Sequence, residues 1–420
     1  MTTTDKLLDL KQRMQANLEE CILPVWRDHA IDEVNGGYLG KINEDLSPDY
    51  EYPKALVLAT RMLWTYCNAY RLLGDERYRE LAGIGFEYLK TKFWDDVYGG
   101  SYFMMTPDYQ PLTLEKRTYG QAFIIYSFAE YYRTFGEQEA LDKAMFVFRK
   151  CIETLKTPSG GYIDTIGRDW KYDPLGAVWW MNPHGAPLLL NSHLHLFEAS
   201  IALYRVTGDP EVRTVLRDLL VFLMENVVDH ERHHLKAGMD TDGGRMDDEI
   251  SYGHDSECSY LMTDAAKMLG EPELIQRATE IADDLMGHVL AEGIDTTYGG
   301  VFYEYRFRSG EMNRTKIWWV QAEALTGFVN AYAVTGKECY LDAARGIWEY
   351  VENNLVDHRY GEWFSYGPMP YTDEASIRYQ KEREVRCGRE KANRVKCPYH
   401  DSRTCMEIME RVDALLASAQ

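Results

Sequence analysis

The chain has 420 residues, 45% of them apolar and 13% aromatic, and a formal net charge of −21. Length alone allows one large domain or two to three smaller ones, and the apolar fraction is enough for a large core. The acidic balance and the lack of a Lys/Arg cluster exclude a nucleic-acid partner. No apolar run approaches the ~18 residues of a membrane span, and none of the eight cysteines forms a C-x-x-C pair of the zinc or redox kind. The opening stretch MTTTDKLLDLKQRM carries no apolar h-region. The expectation is therefore a cytoplasmic chain with free thiols.

In chain order, the first punctuated element is NGGYLGKI at residue 35, a Gly turn followed by a short β-like run. A helical segment follows, KALVLATRMLWTYCNAYRLLG, with Ala55, Ala59, Met62, Leu63, Tyr66, Tyr70 and Leu73 at the 3/4 rhythm of a helix. AYRLLGDERYRELA then ends that helix on a Gly, suited to the left-handed C-terminal position, and starts an amphipathic one. The same unit recurs as YGGSYFMM with YYRTFGEQEALDKA, SGGYIDTI with LYRVTGDPEVRTVL, DGGRMDDE with AKMLGEPELIQRAT, and YGGVFYEY with AYAVTGKECYLDAA. YGEWFSYG closes the series. The first glycines stand at 36, 99, 160, 243, 299 and 361.

Six helix pairs predict an all-α fold, an (α/α)6 barrel with short β-hairpins at one end. The alternative, an open superhelix of helix pairs, would continue beyond six and keep a uniform repeat length. No linker cuts the chain, so residues 1–420 read as one catalytic domain. The Gly-Gly hairpins then gather where the inner helices begin, and polar residues at those helix starts line the mouth of a pocket.

Those starts interrupt apolar runs at one phase. They supply Arg61; Tyr119 and Gln121; Asn191, His193 and His195; His254 and Glu257; Trp319, Gln321 and Glu323; and His400 with Arg403. Each has a bland reading as a packed or paired core residue. His193 and His195 diverge by about 200° on a helix, so one of them faces away, and His195 shares a face with Asn191. Asp255 reads as structural. The H-x-x-E of His254 and Glu257 reverses the E-x-x-H of di-iron bundles and has no second copy. Arg61 also opposes a cation in the same pocket, so a metal is not expected. Paired histidines suit proton removal and return near neutrality, and an arginine suits a developing oxyanion. That combination points to proton abstraction α to a carbonyl. Glu257 and Glu323 keep glycoside hydrolysis open, and a non-catalytic sugar-binding protein, suited to the 30 Tyr and 10 Trp, is the third reading.

The segments KALVLATRMLWTYCNAYR, YGQAFIIYSFAEYYR, NSHLHLFEA, ISYGHDSECSYL, WWVQAEALTGF and KCPYHDSR, in this order, resemble the N-acylglucosamine 2-epimerase superfamily, and within it the cellobiose 2-epimerase branch. The resemblance implies a cofactor-free isomerase that inverts C2 of a reducing-end aldose in a mono- or disaccharide through a cis-enediolate. It implies His254 and His400 as acid/base catalysts, with Glu257 orienting His254. Arg61, Tyr119, Asn191, His195, Trp319 and Glu323 are then substrate-binding residues, and the protein a monomer or homodimer. Two departures bear on the substrate. Val395 stands where members acting on cellobiose carry a tryptophan, and the charged segment 373–395 is longer than the resemblance leads one to expect. A mannose 2-epimerase or a mannose (aldose–ketose) isomerase is the alternative.

Overall fold

The computed structural model describes residues 1–171, 178–386 and 388–418. Its helices are α1 (Thr3–Ala16), α2 (Leu23–His29), α3 (Leu56–Leu73), α4 (Glu76–Tyr88), α5 (Thr118–Phe135), α6 (Gln138–Leu155), α7 (Leu190–Thr207), α8 (Pro210–Phe222), α9 (Tyr252–Leu269), α10 (Pro272–His288), α11 (Trp318–Thr335), α12 (Glu338–Asn354), α13 (Glu374–Arg386) and α14 (Tyr399–Ser418). Short strands join them: β1 (Lys54–Ala55), β2 (Met104–Met105), β3 (Lys116–Arg117), β4 (Thr165–Ile166), β5 (Leu188–Leu189), β6 (Val228–Asp229), β7 (His234–Leu235), β8 (Gly238–Met239), β9 (Glu249–Ser251), β10 (Glu304–Arg306) and β11 (Glu311–Asn313).

Two helix populations explain the architecture. Helices α3, α5, α7, α9 and α11 are buried on nearly every side over their first three turns, as helices surrounded by other helices must be. The helices that follow them are amphipathic; α6, for example, buries Ala140, Ala144, Val147, Phe148, Cys151 and Leu155 along one stripe. Each inner helix packs on the next, from α3 through α5, α7, α9, α11 and α14, and α14 returns to α3. The ring is closed, so the structure is the (α/α)6 barrel and not the open superhelix. Five inner helices end on glycines with φ between +60° and +73°, whose N–H groups bond the carbonyl four residues back, as the C-terminal left-handed position requires.

The hairpins meet at one end, as the sequence predicts. A strand leading into each inner helix pairs antiparallel with a strand of the next unit: β1 with β2, β3 with β4, β5 with β8, and β9 with β10. Bridges between Ile317 and Tyr366, and between Ile42 and Ala392, complete the circuit.

Two sets of buried side chains fix these hairpins. Lys54, Lys116, Lys316 and Lys391 pair with Asp32, Asp95, Asp295 and Asp357 at the hairpin turns; the lysines are at most 1% exposed. Each aspartate also accepts turn amides two and three residues on, which satisfies a charge that burial would otherwise penalise. The second set is the fourth residue of four inner helices. Gln121 grips both backbone groups of Ser101, at 2.8 and 3.0 Å, and Gln321 both of Val301, at 2.8 and 2.7 Å. His193 accepts from Tyr162 N at 2.8 Å, and Asp255 accepts from Leu235 N and His234 Nδ1. Gln121 and Gln321 therefore bind hairpin backbone, contrary to their grouping with pocket residues, while His193 and Asp255 have the structural roles read for them.

The charged segment forms α13, which lies on β11. Arg378 and Tyr379 both donate to Glu311, and Arg314 donates to Asp373. All described cysteines are free; Cys387 lies outside the described residues. Among the described residues no helix is long and apolar enough to cross a membrane.

Candidate active site

The sixth residue of each of five inner helices faces the barrel axis region: Arg61 on α3, Phe123 on α5, His195 on α7, Glu257 on α9 and Glu323 on α11. Helix α14 adds His400 and Arg403. Nearer the mouth stand Tyr119, Asn191, His254 and Trp319, at the second or third position of their helices. The deeper groups are at most 5% exposed, while Asn191, His254 and Trp319 are half-buried. The shared phase read from the sequence is thus a layered pocket.

Its floor is an ion network centred on Arg403. One Arg403 nitrogen, Nη2, donates to Glu257 at 2.5 Å and to Glu323 at 2.8 Å, and Nη1 donates to Glu198. Tyr399 donates to Glu198 at 2.6 Å and Tyr260 to Glu323 at 2.7 Å. Glu198 in turn meets His195 Nδ1 at 2.9 Å. Burial pushes the Glu198 carboxyl upward, but Arg403 and the His195 hydrogen bond outweigh it and hold it down at about 2. Arg61 donates to the Tyr119 hydroxyl at 3.1 Å and lies over the rings of Phe123 and Tyr399, at 4.5 and 4.9 Å. Its Nε has no partner among the described residues.

The two predicted catalysts share one aromatic neighbour. Trp319 lies 4.9 Å from the imidazole of His254 and 5.8 Å from that of His400, centroid to centroid. His400 Nδ1 meets Glu323 Oε1 at 2.5 Å. A carboxylate only accepts, so Nδ1 carries the proton and Nε2 keeps its lone pair. Burial, and after it the Arg61 charge, holds His400 well below the ordinary histidine range. His254 meets Ser251 Oγ at 2.9 Å through Nδ1 and Asn191 Oδ1 at 3.0 Å through Nε2. Burial lowers it too, partly offset by the charge of Glu257.

The structure brings together all nine residues singled out from the sequence but redistributes their partners. Glu257 does not orient His254 by a hydrogen bond; its carboxylate serves Arg403, and Ser251 and Asn191 hold the imidazole. Glu323 is the partner of His400. Sequence reasoning missed Glu198, although its place three residues after His195 put it on the same helix face. Two groups of ligating atoms lie close together, His195/Glu198/Glu257 and Glu257/Glu323/His400. Arg403 already occupies their carboxylates with fixed positive charge, and Arg61 adds more, so these residues do not fit a divalent cation.

The mouth is aromatic and cationic. Trp319 has Tyr303 against its edge, 6.2 Å away, and Arg383 of α13 lies over Tyr303. Arg394 stacks on Trp180 at 4.8 Å, and Val395 packs against the core. The charged segment 373–395 therefore borders the mouth.

Two imidazoles above a buried network of arginines and carboxylates, inside a closed six-pair helical barrel, make an enclosed polar pocket. The chain matches the sequence profile of N-acylglucosamine 2-epimerase (GlcNAc 2-epimerase) over residues 36–371. It is 33% identical to a cellobiose 2-epimerase of Bacteroides fragilis over 95% of this chain and 98% of that one, and 32% identical to that of Dictyoglomus turgidum over 96% and 99%. The structure of cellobiose 2-epimerase from Bacillus thermoamylovorans superposes with a TM-score of 0.86 at 31% identity, covering 96% of this chain and 99% of that one. The chain belongs to the N-acylglucosamine 2-epimerase family and is a carbohydrate isomerase of the sugar 2-epimerase kind.

Proposed function

We propose that the protein inverts C2 of the reducing-end aldose of a disaccharide in the glucose/mannose configuration, cellobiose being the first candidate, by two-histidine proton transfer. The observation that carries this reading is that His254 and His400 both contact the Trp319 ring, His254 with both nitrogens hydrogen-bonded and His400 with Nδ1 held by Glu323.

In this reading one imidazole takes the C2 proton of the opened aldose. The C–H electron pair becomes the C1–C2 double bond, and the carbonyl oxygen becomes an enediolate oxygen beside Arg61. After rotation about C2–C3, the other imidazole delivers a proton to the opposite face. His400 fits the base in one direction, since its Nε2 is a free lone pair. Burial holds His254 below the ordinary histidine range, and His254 fits the donor once protonated, since Ser251 Oγ and Asn191 Oδ1 can accept from both of its nitrogens. Arg61 Nε, without a partner among the described residues, is a donor for the enediolate oxygen. Asn191 and His195 serve O1 and O2, and His195, backed by Glu198, assists ring opening. Tyr119 and Trp319 contact the sugar. Glu257 and Glu323 act from beneath, as positioning residues.

Hydrolysis is disfavoured: Glu257 and Glu323 both accept from Arg403 Nη2, and that fixed charge keeps either from serving as the protonated acid a glycosidase needs. A mannose 2-epimerase or aldose–ketose isomerase is the second reading, favoured by Val395 in place of the tryptophan that would stack on a second sugar. Incubation with cellobiose, glucose, mannose and N-acetylglucosamine in D₂O decides between them. Deuterium at C2 of an epimer of cellobiose supports the proposal. Exchange with monosaccharides alone, or a ketose product, supports the second reading, and no exchange with any sugar overturns both.

A further inference from the structure

The sequence DHERHHLKAG, residues 229–238, places three histidines in the β6–β7 hairpin on the outside of the barrel. Two of them meet the last turn of α10 and the turn beyond it. His233 Nδ1 lies 2.9 Å from Asp284 Oδ2, and the His233 ring stacks parallel on that of His288, 4.5 Å between centroids with 4° between planes. His288 Nδ1 meets Glu292 Oε1 at 3.0 Å, and His234 Nε2 lies 3.5 Å from Glu292 Oε2. One donor atom each from His233, Asp284 and His288 falls within 4.8 Å of the others, and the same holds for His234, His288 and Glu292.

We propose that His233, Asp284 and His288 form a divalent transition-metal site, of the zinc class, on the outer wall of the barrel. Two imidazoles and a carboxylate are a donor set that suits zinc, nickel or copper better than magnesium or calcium. Ligand atoms of a tetrahedral zinc lie roughly 3.4 Å apart, as bonds of about 2.0–2.1 Å require. The side chains of His233, Asp284 and His288 are 42%, 39% and 33% exposed, free to close the remaining gap by small rotations. Here, unlike in the pocket, the carboxylates take imidazoles and not arginine or lysine as ion-pair partners. Glu292, bonded to His288 Nδ1, fixes that ring and leaves Nε2 for the metal. Parallel stacking of two imidazoles is poor for two cations and good for two neutral ligands of one ion.

The site ties two elements that α9 depends on. His234, next to His233, donates to Asp255 at 2.8 Å, and Asp255 adjoins His254 on α9. A metal at His233 and His288 clamps the β6–β7 hairpin to α10 and so stiffens the support beneath that helix.

The test uses the full chain stripped with a chelator and titrated with Zn²⁺ by calorimetry, with thermal unfolding in parallel. One equivalent should bind and raise Tm. His233→Ala/His288→Ala should lose the heat and the Tm shift, and Asp284→Asn should weaken binding at least about tenfold. All three positions are exposed enough for the variants to fold, which circular dichroism checks. His400→Ala should bind zinc as wild type does. No binding by the wild type, binding that survives the His233/His288 double substitution, or binding abolished by His400→Ala would each overturn the proposal, the last by placing the metal in the pocket.

Discussion

His400 shows how a single contact sets a protonation state. Its Nδ1 and Arg403 Nη2 share Glu323 Oε1, so Glu323 dictates the tautomer that leaves Nε2 basic. His400→Ala and His254→Ala are each expected to lower C2 deuterium exchange by about 10²–10⁴-fold, the usual worth of a general acid or base. Glu323→Gln keeps an oxygen acceptor for both neighbours and should lose less. Glu323→Leu removes tautomer control and should approach His400→Ala; equal rates for Glu323→Leu and wild type would refute the tautomer argument. Arg61 adds to the effect of burial in lowering His400, so Arg61→Met should raise the His400 pKa. NMR titration of its ring proton reads that shift, and an unmoved or lowered midpoint would count against the arrangement. Gly253 supplies another residue-scale constraint. A Cβ there would sit 2.5 Å from the Trp319 ring, so Gly253→Ala should displace the ring shared by both histidines and depress exchange while the helix survives.

At the scale of elements, the hairpin determines the position of the helix start. Asp32 is held by Lys54 as well as by turn amides and Asn35, with all of these groups on the β1 side of the mouth. Burial raises its pKa, yet the amide and Lys54 contacts win and the net shift is downward. Lys54→Met leaves a buried carboxylate without its counter-charge and should cost about 3–5 kcal/mol in denaturant unfolding. Adding Asp32→Asn should recover part of that loss, and a double-mutant cycle measures how much. The Gly-Gly turns, the Gly-capped helix pairs and the phase of the pocket residues were all legible in the sequence, because each leaves a periodic trace. The lysine–aspartate pairs were not read, although an aspartate stands four residues before the first glycine of several hairpins and a lysine just before the inner helix. These buried ion pairs join residues 21 to 34 apart and look, in sequence, like separate surface charges. The Arg403 hub was illegible for the same reason: its carboxylates come from α7, α9 and α11, and periodicity assigns a face to each helix without naming what lies opposite.

For the molecule as a whole, closure concentrates polar groups in a dry interior, and that makes stability depend on pH. In four of the units the fourth residue of the inner helix grips a hairpin, and the third unit uses His193 where the second and fifth use glutamine. His193 donates from Nδ1 to Leu189 O at 2.8 Å and accepts at Nε2 from Tyr162 N. Protonating Nε2 would break the second bond and bury a charge, so burial, only partly offset by the Leu189 carbonyl, holds His193 at about 4. Its folded pKa is below the unfolded value of about 6.5. The unfolded chain thus binds more protons between pH 6.5 and 4, and the stability His193 contributes is complete above that window and lost on acidification through it, by about 3 kcal/mol in all. His254 and His400, also lowered, add to the slope. The hairpin aspartates, lowered as well, lose their contribution only below about pH 4. Glu249, raised to about 7 by burial and by Glu304, and His234, in which Asp255 outweighs burial to give a raised value, pull the opposite way in the same range, so the His193 share is read by comparing the wild type with a variant at that position. His193→Gln offers Tyr162 N the same kind of acceptor that Gln121 offers Ser101, without a titrating ring. Its Tm should decline less between pH 6.5 and 4 than that of the wild type and share the loss below 4. An identical decline in the two proteins would show that the third hairpin does not rest on a neutral histidine.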